Sequence, residues 1–278
     1  VVCLGERECS IQRRRQKLIE EAPAPNLNHA LRLQLYDAAY RLASALQYRG
    51  LGTVEFLLDA DNRFHFIEVN PRLQVEHPVT EMVTGLDLVR EQILLAAGAP
   101  LRLHPEQVEL RGAAIEARVL AEDTGQDFLP STGNITYLKE PGGAGVRIDS
   151  ALYQGLPVTA EYDSLLAKVV TWGDTRSIAI ARLRRALGEF QVGGVATDLS
   201  FLLQIVQSPT FVSGHVTTTY LEGFEPELLP EEVDLEQELA LAAALYAHQN
   251  HAQDRQPAAA QHNAWRQAAW QEQMRGTL

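Results

Sequence analysis

The sequence has few cysteines and no long apolar segment. Cys3 and Cys9 are the two cysteines among 278 residues, and they lack C-x-x-C spacing. This argues against a disulfide framework or a zinc site and fits a reducing compartment. The sequence also contains no run of about 18 apolar residues and no secretory signal. It therefore predicts no membrane span, and we expect a cytoplasmic location, or the mitochondrial matrix if the source is eukaryotic.

Basic residues are outnumbered by acidic ones. The chain has 24 Lys and Arg against 36 Asp and Glu, a net charge of −12. Such an acidic balance argues against a general nucleic-acid binder. Basic residues nevertheless concentrate in residues 1–20, where three glutamates stand against Arg7, Arg13, Arg14, Arg15 and Lys17. This cluster predicts an anion site, with a solubilising charged surface as the alternative.

The remaining composition, 46% hydrophobic and 22% charged, is that of an ordinary globular chain. Residues 1–25 read as extended strand and loop. Helical periodicity and cap residues predict helices over 29–47 (cap Asn28, ended by Gly50), 87–97 (cap Asp87), 174–190 (cap Asp174) and 198–206. Alternation predicts strands over 53–58, 64–69, 110–122, 134–139, 146–148 and 163–172. The predicted fold class is therefore α+β.

The most informative segment is E-V-N-P-R-L-Q-V-E-H-P-V-T-E-M, residues 68–82. If it is extended, alternate side chains share one face, while Val69, Leu73 and Val75 face a core. The polar face would carry two carboxylates, two amides and a guanidinium: Glu68, Asn70, Arg72, Gln74 and Glu76. Such a row can hold a metal, an anion and a base side by side. A solvated edge strand is the alternative.

Glu55 and Glu68 are expected on neighbouring strands. With a loop at 60–63, Asp59 would pair with Phe64, and Glu55 would face Glu68. Opposed carboxylates repel unless a cation lies between them. Magnesium prefers a few carboxylate oxygens together with substrate phosphates. Glu55, Glu68 and Asn70 are thus a candidate Mg–ATP site, and an ordinary hairpin with exposed glutamates is the alternative.

Three segments together resemble the biotin carboxylase family of ATP-grasp enzymes. Residues 68–81 match its signature E-x-N-x-R-x-Q-V-E-H-P-V-T-E. R-E-C-S-I-Q-R-R-R-Q-K at 7–17, followed by E-E-A-P-A-P, is a second family segment, and R-G-A-A-I-E-A-R-V-L-A-E-D at 111–123, leading into F-L-P-S-T-G, is a third. Their order and spacing fit the family, and the resemblance covers roughly residues 1–222.

The resemblance implies roles for individual residues. Glu55, Glu68 and Asn70 would hold Mg²⁺ or Mn²⁺ with ATP. Bicarbonate would bind to Lys17, Arg72, Gln74 and the Val75 N–H, with Glu76 as general base. Arg118 would stabilise the biotin enolate, or else form a salt bridge with Glu116. Gln12 and Leu57 would contact ribose and adenine. The family usually has His where this chain has Arg15, and His77 is expected to have a structural role between strand and helix.

The fold implied is the second half of an ATP-grasp domain (1–100), the biotin carboxylase C-terminal domain (101–224) and a helical tail. Residues 225–238 hold seven acidic residues, and 240–278 are rich in Ala and Gln. We interpret 225–278 as a linker into a truncated downstream domain, or as a disordered tail. The chain carries no M-K-M, so its biotin would be carried elsewhere.

The function implied is ATP-dependent carboxylation of carrier-bound biotin with bicarbonate through carboxyphosphate, in an acyl-CoA carboxylase α subunit. A pyruvate or urea carboxylase is the alternative. Its partners would be a biotin carboxyl carrier domain and a carboxyltransferase subunit, in a homodimer or larger hetero-oligomer.

The chain begins with Val, and the resemblance begins within a domain. We therefore expect part of a longer protein that binds Mg–ATP weakly by itself. A non-catalytic binding or dimerisation module is the alternative from a different class.

Overall fold

The computed structural model describes residues 1–224 and 242–246. The helices are α1 (His29–Ala45), α2 (His77–Thr84), α3 (Leu88–Ala96), α4 (Arg176–Glu189), α5 (Leu199–Gln207) and α6 (Pro209–Ser213). The strands are β1 (Glu8–Arg13), β2 (Gln16–Ala22), β3 (Thr53–Leu58), β4 (Phe64–Asn70), β5 (Ala113–Leu120), β6 (Glu122–Asp123), β7 (Leu129–Pro130), β8 (Gly133–Asn134), β9 (Tyr137–Lys139), β10 (Val146–Ser150), β11 (Pro157–Val158), β12 (Leu165–Gly173) and β13 (Gln191–Gly193). The predicted mixture of helices and strands is confirmed.

The central element is an antiparallel five-stranded sheet in the order β1-β2-β5-β12-β10. Strands β1 and β2 come from the expected ATP-grasp segment, and the other three come from the expected C-terminal domain. The two segments therefore share one sheet within the unit Val1–Glu227. The other strands form four two-stranded pairs, β3–β4, β6–β7, β8–β11 and β9–β13.

The two faces of the sheet are covered differently. On one face, Ile115, Ala117 and Val119 pack into a core with the buried residues of α4 and α5. On the other face, Ala22, Ala114 and Val170 pack against Val79 and Val83 of α2. Since side chains alternate along a strand, Glu116 and Arg118 lie on the same face as Ala114. The sheet beneath α2 is thus apolar at one end and ionised at the other.

Helix caps agree with the sequence in two cases and differ in two. The side chains of Asn28 and Asp87 accept hydrogen bonds from the backbone of Leu31 and Arg90 at 2.8 Å, as predicted. Thr175, not Asp174, caps α4. Helix α1 stops at Ala45, before the predicted end at 47, and Gln47 takes the left-handed conformation (φ 49°). Gly50 therefore lies beyond the helix end and is not its C′ residue.

The alternating pattern of the segment after β4 predicts an extended chain, but the segment is not extended in the structure. The strand ends at Asn70, and residues 71–76 turn into α2. Pro71 lacks the backbone N–H that the strand ladder needs, and this accounts for the end of the strand. Val69, Leu73 and Val75 are half-buried rather than core residues. The predicted strand at 134–139 is likewise divided into β8 and β9.

The β3–β4 hairpin has an irregular register. Leu58, rather than Asp59, pairs with Phe64, so the predicted pairing next to the loop is wrong by one residue. A shift between Phe56 and Glu55 skips Ile67 and brings Glu55 opposite Glu68. The predicted opposition of the two glutamates is therefore correct, but a β-bulge produces it.

The rest of the chain forms a separate unit, Leu228–Leu278, of which the structure describes residues 242–246 as helical. The remaining predictions for the acidic linker and the Ala/Gln-rich tail lie outside the described residues. Across the described ranges, no helix is both long and apolar enough to cross a bilayer.

Candidate active site

The Glu76 carboxylate lies between two cations from different strands of the sheet. Lys17 on β2 donates to Glu76 Oε1 at 2.9 Å, and Arg118 on β5 donates to Oε2 at 3.0 Å. Glu76 directly precedes α2, and its side chain is 3% exposed. The resemblance gives these three residues, and also Arg72, roles in one site; the three come together because β2 and β5 are adjacent and α2 packs across their polar face.

The surroundings of Glu76 favour its charged form. Burial alone would raise the pKa of Glu76, but the hydrogen bond and charge of Lys17, with the charge of Arg7, hold this pKa below its ordinary value. Burial likewise opposes the charge on Lys17, while its hydrogen bonds to Glu76 and Glu55 raise the Lys17 pKa. At neutral pH the site therefore holds an ionised carboxylate, the form that a general base requires.

The candidate metal ligands form a second group linked to the first by Lys17. Lys17 Nζ also donates to Glu55 Oε1 at 2.9 Å. The Asn70 amide donates to Glu55 Oε1 at 3.0 Å and to Glu68 Oε1 at 2.9 Å. Both carboxylates thus converge on the Asn70 amide, and these residues would hold a divalent cation through Glu55, Glu68 and, with the amide turned, the Asn70 Oδ1.

The donor set of Glu55, Glu68 and Asn70 fits magnesium better than a metal whose ligands all come from the protein. Within the described ranges, no three His, Cys, Asp or Glu side chains are grouped so that they could hold a metal. Two carboxylates and one amide leave most positions around the ion to water and phosphate oxygens, as Mg²⁺ prefers. The metal assignment of Glu55, Glu68 and Asn70 remains a proposal that this donor set supports.

Gln74 connects the two groups. Its side-chain Nε2 donates to Glu55 Oε1 at 2.7 Å, and its side-chain Oε1 accepts from Arg7 at 2.6 Å. Arg7 also donates to Thr53 and Thr80 at 3.0 Å, so it joins β3 to α2. The sequence had indicated Arg7 only as one member of a basic cluster, because its partners lie 46 to 73 residues away.

Two expected bicarbonate ligands stand apart from this network of side chains. Arg72 is exposed and donates to the Leu73 carbonyl at 3.2 Å. The Val75 carbonyl accepts from Lys168 of β12 at 3.1 Å. The structure therefore does not bring Arg72 into the Lys17–Glu76–Arg118 cluster, although Arg72 follows Asn70 by only two residues.

The two expected nucleotide residues lie in different surroundings. Gln12 lines a cavity of about 560 Å³ with Arg13, Arg14, Arg15, Thr218, Thr219, Leu221 and Glu222. Leu57 lies on β3 and is 45% exposed. Arg13 and Arg14 pair with Glu122 and Asp127, so part of the predicted basic cluster serves structural ion pairs.

Two buried acids beneath the site were missed as functional candidates. Arg118 forms ion pairs with Glu20 and Glu76, not with Glu116 as in the alternative from the sequence. Burial raises the Glu20 pKa to about 7, and burial together with Glu20 raises the Glu116 pKa well above its ordinary value. Glu20 stood within the quoted E-E-A-P-A-P segment, but only sheet pairing shows that it faces Glu116.

Two family models match separate parts of the chain. Carbamoyl-phosphate synthase L chain, ATP binding domain, matches residues 1–104, and Biotin carboxylase C-terminal domain matches residues 116–223. Biotin carboxylase 1 of Bacillus subtilis is 52% identical over 80% of this chain and 50% of its own length. The propionyl-CoA carboxylase alpha chain of Ruegeria pomeroyi is 44% identical over 88% of this chain and 40% of its own.

Solved structures agree with these matches. The biotin carboxylase domain dimer of Hydrogenobacter thermophilus 2-oxoglutarate carboxylase, in complex with MgADP, ADP and bicarbonate, has a TM-score of 0.77 at 43% identity. This likeness covers 79% of this chain and 48% of that one. Rhizobium etli pyruvate carboxylase has a TM-score of 0.78 at 44% identity, over 80% of this chain and 23% of its own. The chain thus spans about half the length of the biotin carboxylases it matches, and a smaller share of the longer carboxylase chains.

Proposed function

This chain belongs to the biotin carboxylase family, and from that premise we propose that it supplies the bicarbonate, base and metal side of an ATP-dependent biotin carboxylase site. The observation that carries this proposal is the ionised Glu76 held between Lys17 and Arg118. A base flanked by two cations suits a reaction in which an anion must bind and also lose a proton. The bicarbonate bound in the H. thermophilus relative supports the same substrate here.

Bicarbonate would bind beside Lys17, which retains a third N–H donor after its bonds to Glu55 and Glu76. Exposed Arg72 would turn towards the anion and present its two-pronged guanidinium. Glu76 would accept the bicarbonate proton while the bicarbonate oxygen attacks the γ-phosphate of ATP, releasing ADP and forming carboxyphosphate. This intermediate would divide into CO2 and phosphate.

Arg118 would act in the second half of the reaction. The freed phosphate takes a proton from biotin, and negative charge develops on the ureido oxygen as the enolate forms. Arg118 is buried and held by Glu20 and Glu76, so its charge is oriented before the reaction. The enolate nitrogen would then attack CO2.

Glu55, Glu68 and Asn70 would hold Mg²⁺ or Mn²⁺ together with the phosphates of ATP, and the ion would neutralise charge on the transferred phosphoryl group. Gln12 and Leu57 would contact ribose and adenine. Support for the metal site is the convergence of both carboxylates on the Asn70 amide.

We further propose an acyl-CoA carboxylase α subunit, because the relatives include α chains of propionyl-CoA and methylcrotonoyl-CoA carboxylases. Biotin would reach the site on a carrier domain, and a carboxyltransferase subunit would select the acyl-CoA. The dimeric relative supports a homodimer or a larger assembly. Two free cysteines support a reducing compartment such as the cytoplasm.

The test is ADP release by the full-length protein with ATP, magnesium, bicarbonate and free biotin. We expect turnover to require bicarbonate. Glu76→Gln keeps the side-chain shape but cannot accept a proton, so we expect a loss of about 10²–10⁴-fold in rate with ATP affinity nearly unchanged. Turnover without bicarbonate would refute the substrate, and a Glu76→Gln enzyme of nearly full activity would remove Glu76 from the mechanism.

A further inference from the structure

The backbone around Val75 is held on both sides by Lys168 and His77, to which no catalytic or ligand-binding role has been assigned. The Val75 carbonyl accepts a hydrogen bond from Lys168 Nζ at 3.1 Å. The Gln74 carbonyl accepts from His77 Nδ1 at 2.8 Å and from the His77 backbone N–H at 3.3 Å. Because a peptide unit is planar, a bond to its carbonyl also sets the direction of the N–H on the other side. The Gln74 carbonyl belongs to the same peptide as the Val75 N–H.

Lys168 reaches the segment from the same face of the sheet as Arg118, one strand further along. It lies on β12 opposite Arg118 on β5, and its side chain is 12% exposed. Its ammonium also pairs with Asp149 of β10 at 3.2 Å. Asp149 is itself bonded by Arg147 at 2.7 and 2.9 Å, and Arg147 pairs with Glu81 of α2 at 2.7 Å. A chain of charges therefore runs from α2 through β10 to Lys168 and ends on the Val75 carbonyl.

The contact with the Gln74 carbonyl determines which ring nitrogen of His77 carries a hydrogen. A carbonyl oxygen can only accept, so Nδ1 must carry the hydrogen. Burial lowers the His77 pKa, which favours the neutral ring at pH 7. His77 is the first residue of α2, so its ring holds the Gln74 backbone carbonyl at the point where the turn becomes a helix.

We propose that Lys168 and His77 are positioning residues for bicarbonate, which orient the two peptide groups flanking Val75 so that its N–H is directed at the anion. The inference rests on the proposed function. The same segment is held at three successive residues, Gln74, Val75 and Glu76, by Arg7, Lys168 and Lys17, two of which come from the first 17 residues and one from β12. Each cation fixes a different group of the same short segment.

The prediction is a selective loss of bicarbonate affinity. In the full-length enzyme, Lys168→Met and His77→Phe should each raise the KM for bicarbonate about tenfold, the loss typical for one hydrogen bond to a charged or preorganised group. The kcat and the KM for ATP should stay within about threefold, because the hydrogen-bond partners of both side chains are Gln74, Val75 and Asp149 rather than the base or the metal ligands. His77→Asn, which retains a donor near Nδ1, should stay close to the wild type.

The matched control is Arg176→Met. Arg176 also holds a carboxylate and backbone carbonyls, those of Glu21, Phe211 and Val212, but none of these belongs to the site. It should lower thermal stability without changing the KM for bicarbonate. Lys168→Met is expected to fold, since Asp149 keeps its bonds to Arg147. If it does not, Lys168→Gln and the two His77 variants provide the same comparison.

An unchanged KM for bicarbonate in folded Lys168 and His77 variants would overturn this inference while the proposed function stands. Equal losses in kcat and in both KM values would show a merely structural role and would overturn it too. A wild-type enzyme whose ADP release does not depend on bicarbonate would refute the proposed function itself, and this inference with it.

Discussion

At the scale of single residues, the site depends on acids whose surroundings differ sharply. Glu76 is buried, but two cations keep it ionised. Glu20 lies beneath it with a fully buried side chain, and it shares Arg118 with Glu76. Burial raises the Glu20 pKa to about 7 despite the opposing charge of Arg118. The Arg118 guanidinium therefore pairs with two acids of different pKa, the charged Glu76 carboxylate and the more easily protonated Glu20 carboxyl.

The raised Glu20 pKa predicts a pH-dependent stability. Between its ordinary pKa of 4.5 and about 7, the folded protein binds more protons at Glu20 than the unfolded chain does. The stabilisation is thus complete below pH 4.5 and is lost as the pH rises through 7. Glu20→Gln cannot lose a proton, so its unfolding free energy relative to wild type should improve by about 1–3 kcal/mol between pH 5 and pH 8.

Urea unfolding at both pH values measures this difference. The control is Glu109→Gln. The Glu109 side chain is 67% exposed, so this variant should not reproduce the change expected for Glu20→Gln. Parallel pH profiles for wild type and Glu20→Gln would show that Glu20 does not titrate in this window.

At the scale of elements, small departures from a regular pattern place the functional groups. Pro71 ends β4, so that the chain turns and Glu76 reaches Lys17 on β2 and Arg118 on β5. Next to the loop, the hairpin register differs by one residue from the predicted register. The bulge at Ile67 compensates for this difference, so that Glu55 pairs with Glu68. Helix ends show the same sensitivity, because adjacent residues with similar cap propensity compete for one position.

Helix α4 offers a direct test of such a competition. The Thr175 hydroxyl accepts from the Ile178 N–H at 3.4 Å, and the preceding Asp174 is not the cap. Thr175→Ala should therefore lower the unfolding free energy by about 1 kcal/mol, the usual cost of losing an N-cap. Asp174→Ala, at a neighbouring exposed position, should change it by less than about 0.5 kcal/mol. Thermal unfolding of both variants measures this, and a larger loss for Asp174→Ala would reverse the assignment.

At the scale of the molecule, the sheet joins the first 25 residues to the segment 113–173. Strand β5 pairs with β2 on one side and with β12 on the other. Lys17 and Glu20 thereby come within reach of Arg118, about 100 positions later in the chain. The division at residue 100 that we expected from the resemblance stays a prediction about family domains, while the sheet belongs to both parts.

The shared sheet predicts that both parts unfold together. Ile115 is fully buried at the centre of β5, and Ile115→Ala should cost about 2–5 kcal/mol. Because β5 lies between β2 and β12 in the sheet, hydrogen exchange should show equal loss of protection in these two strands. Ile93→Ala, at a 63% exposed site on α3, should have little effect. Loss of protection in β12 with β2 unchanged would contradict a single cooperative unit.

The sequence by itself determined the family, the α+β class, most strands and helices, and the side chains available for chemistry. Local information sufficed for these, since periodicity, caps and long motifs depend on neighbours within about ten positions. Only the tertiary structure decided which of those side chains meet. It placed Glu76 between Lys17 and Arg118, left Arg72 exposed, and revealed Glu20, Arg7 and Lys168 as partners of the site. The physical reason is that strand order and the packing of α2 set these contacts between residues that are 38 (Lys17 and Glu55) to 98 (Glu20 and Arg118) positions apart, beyond the range of any local sequence pattern.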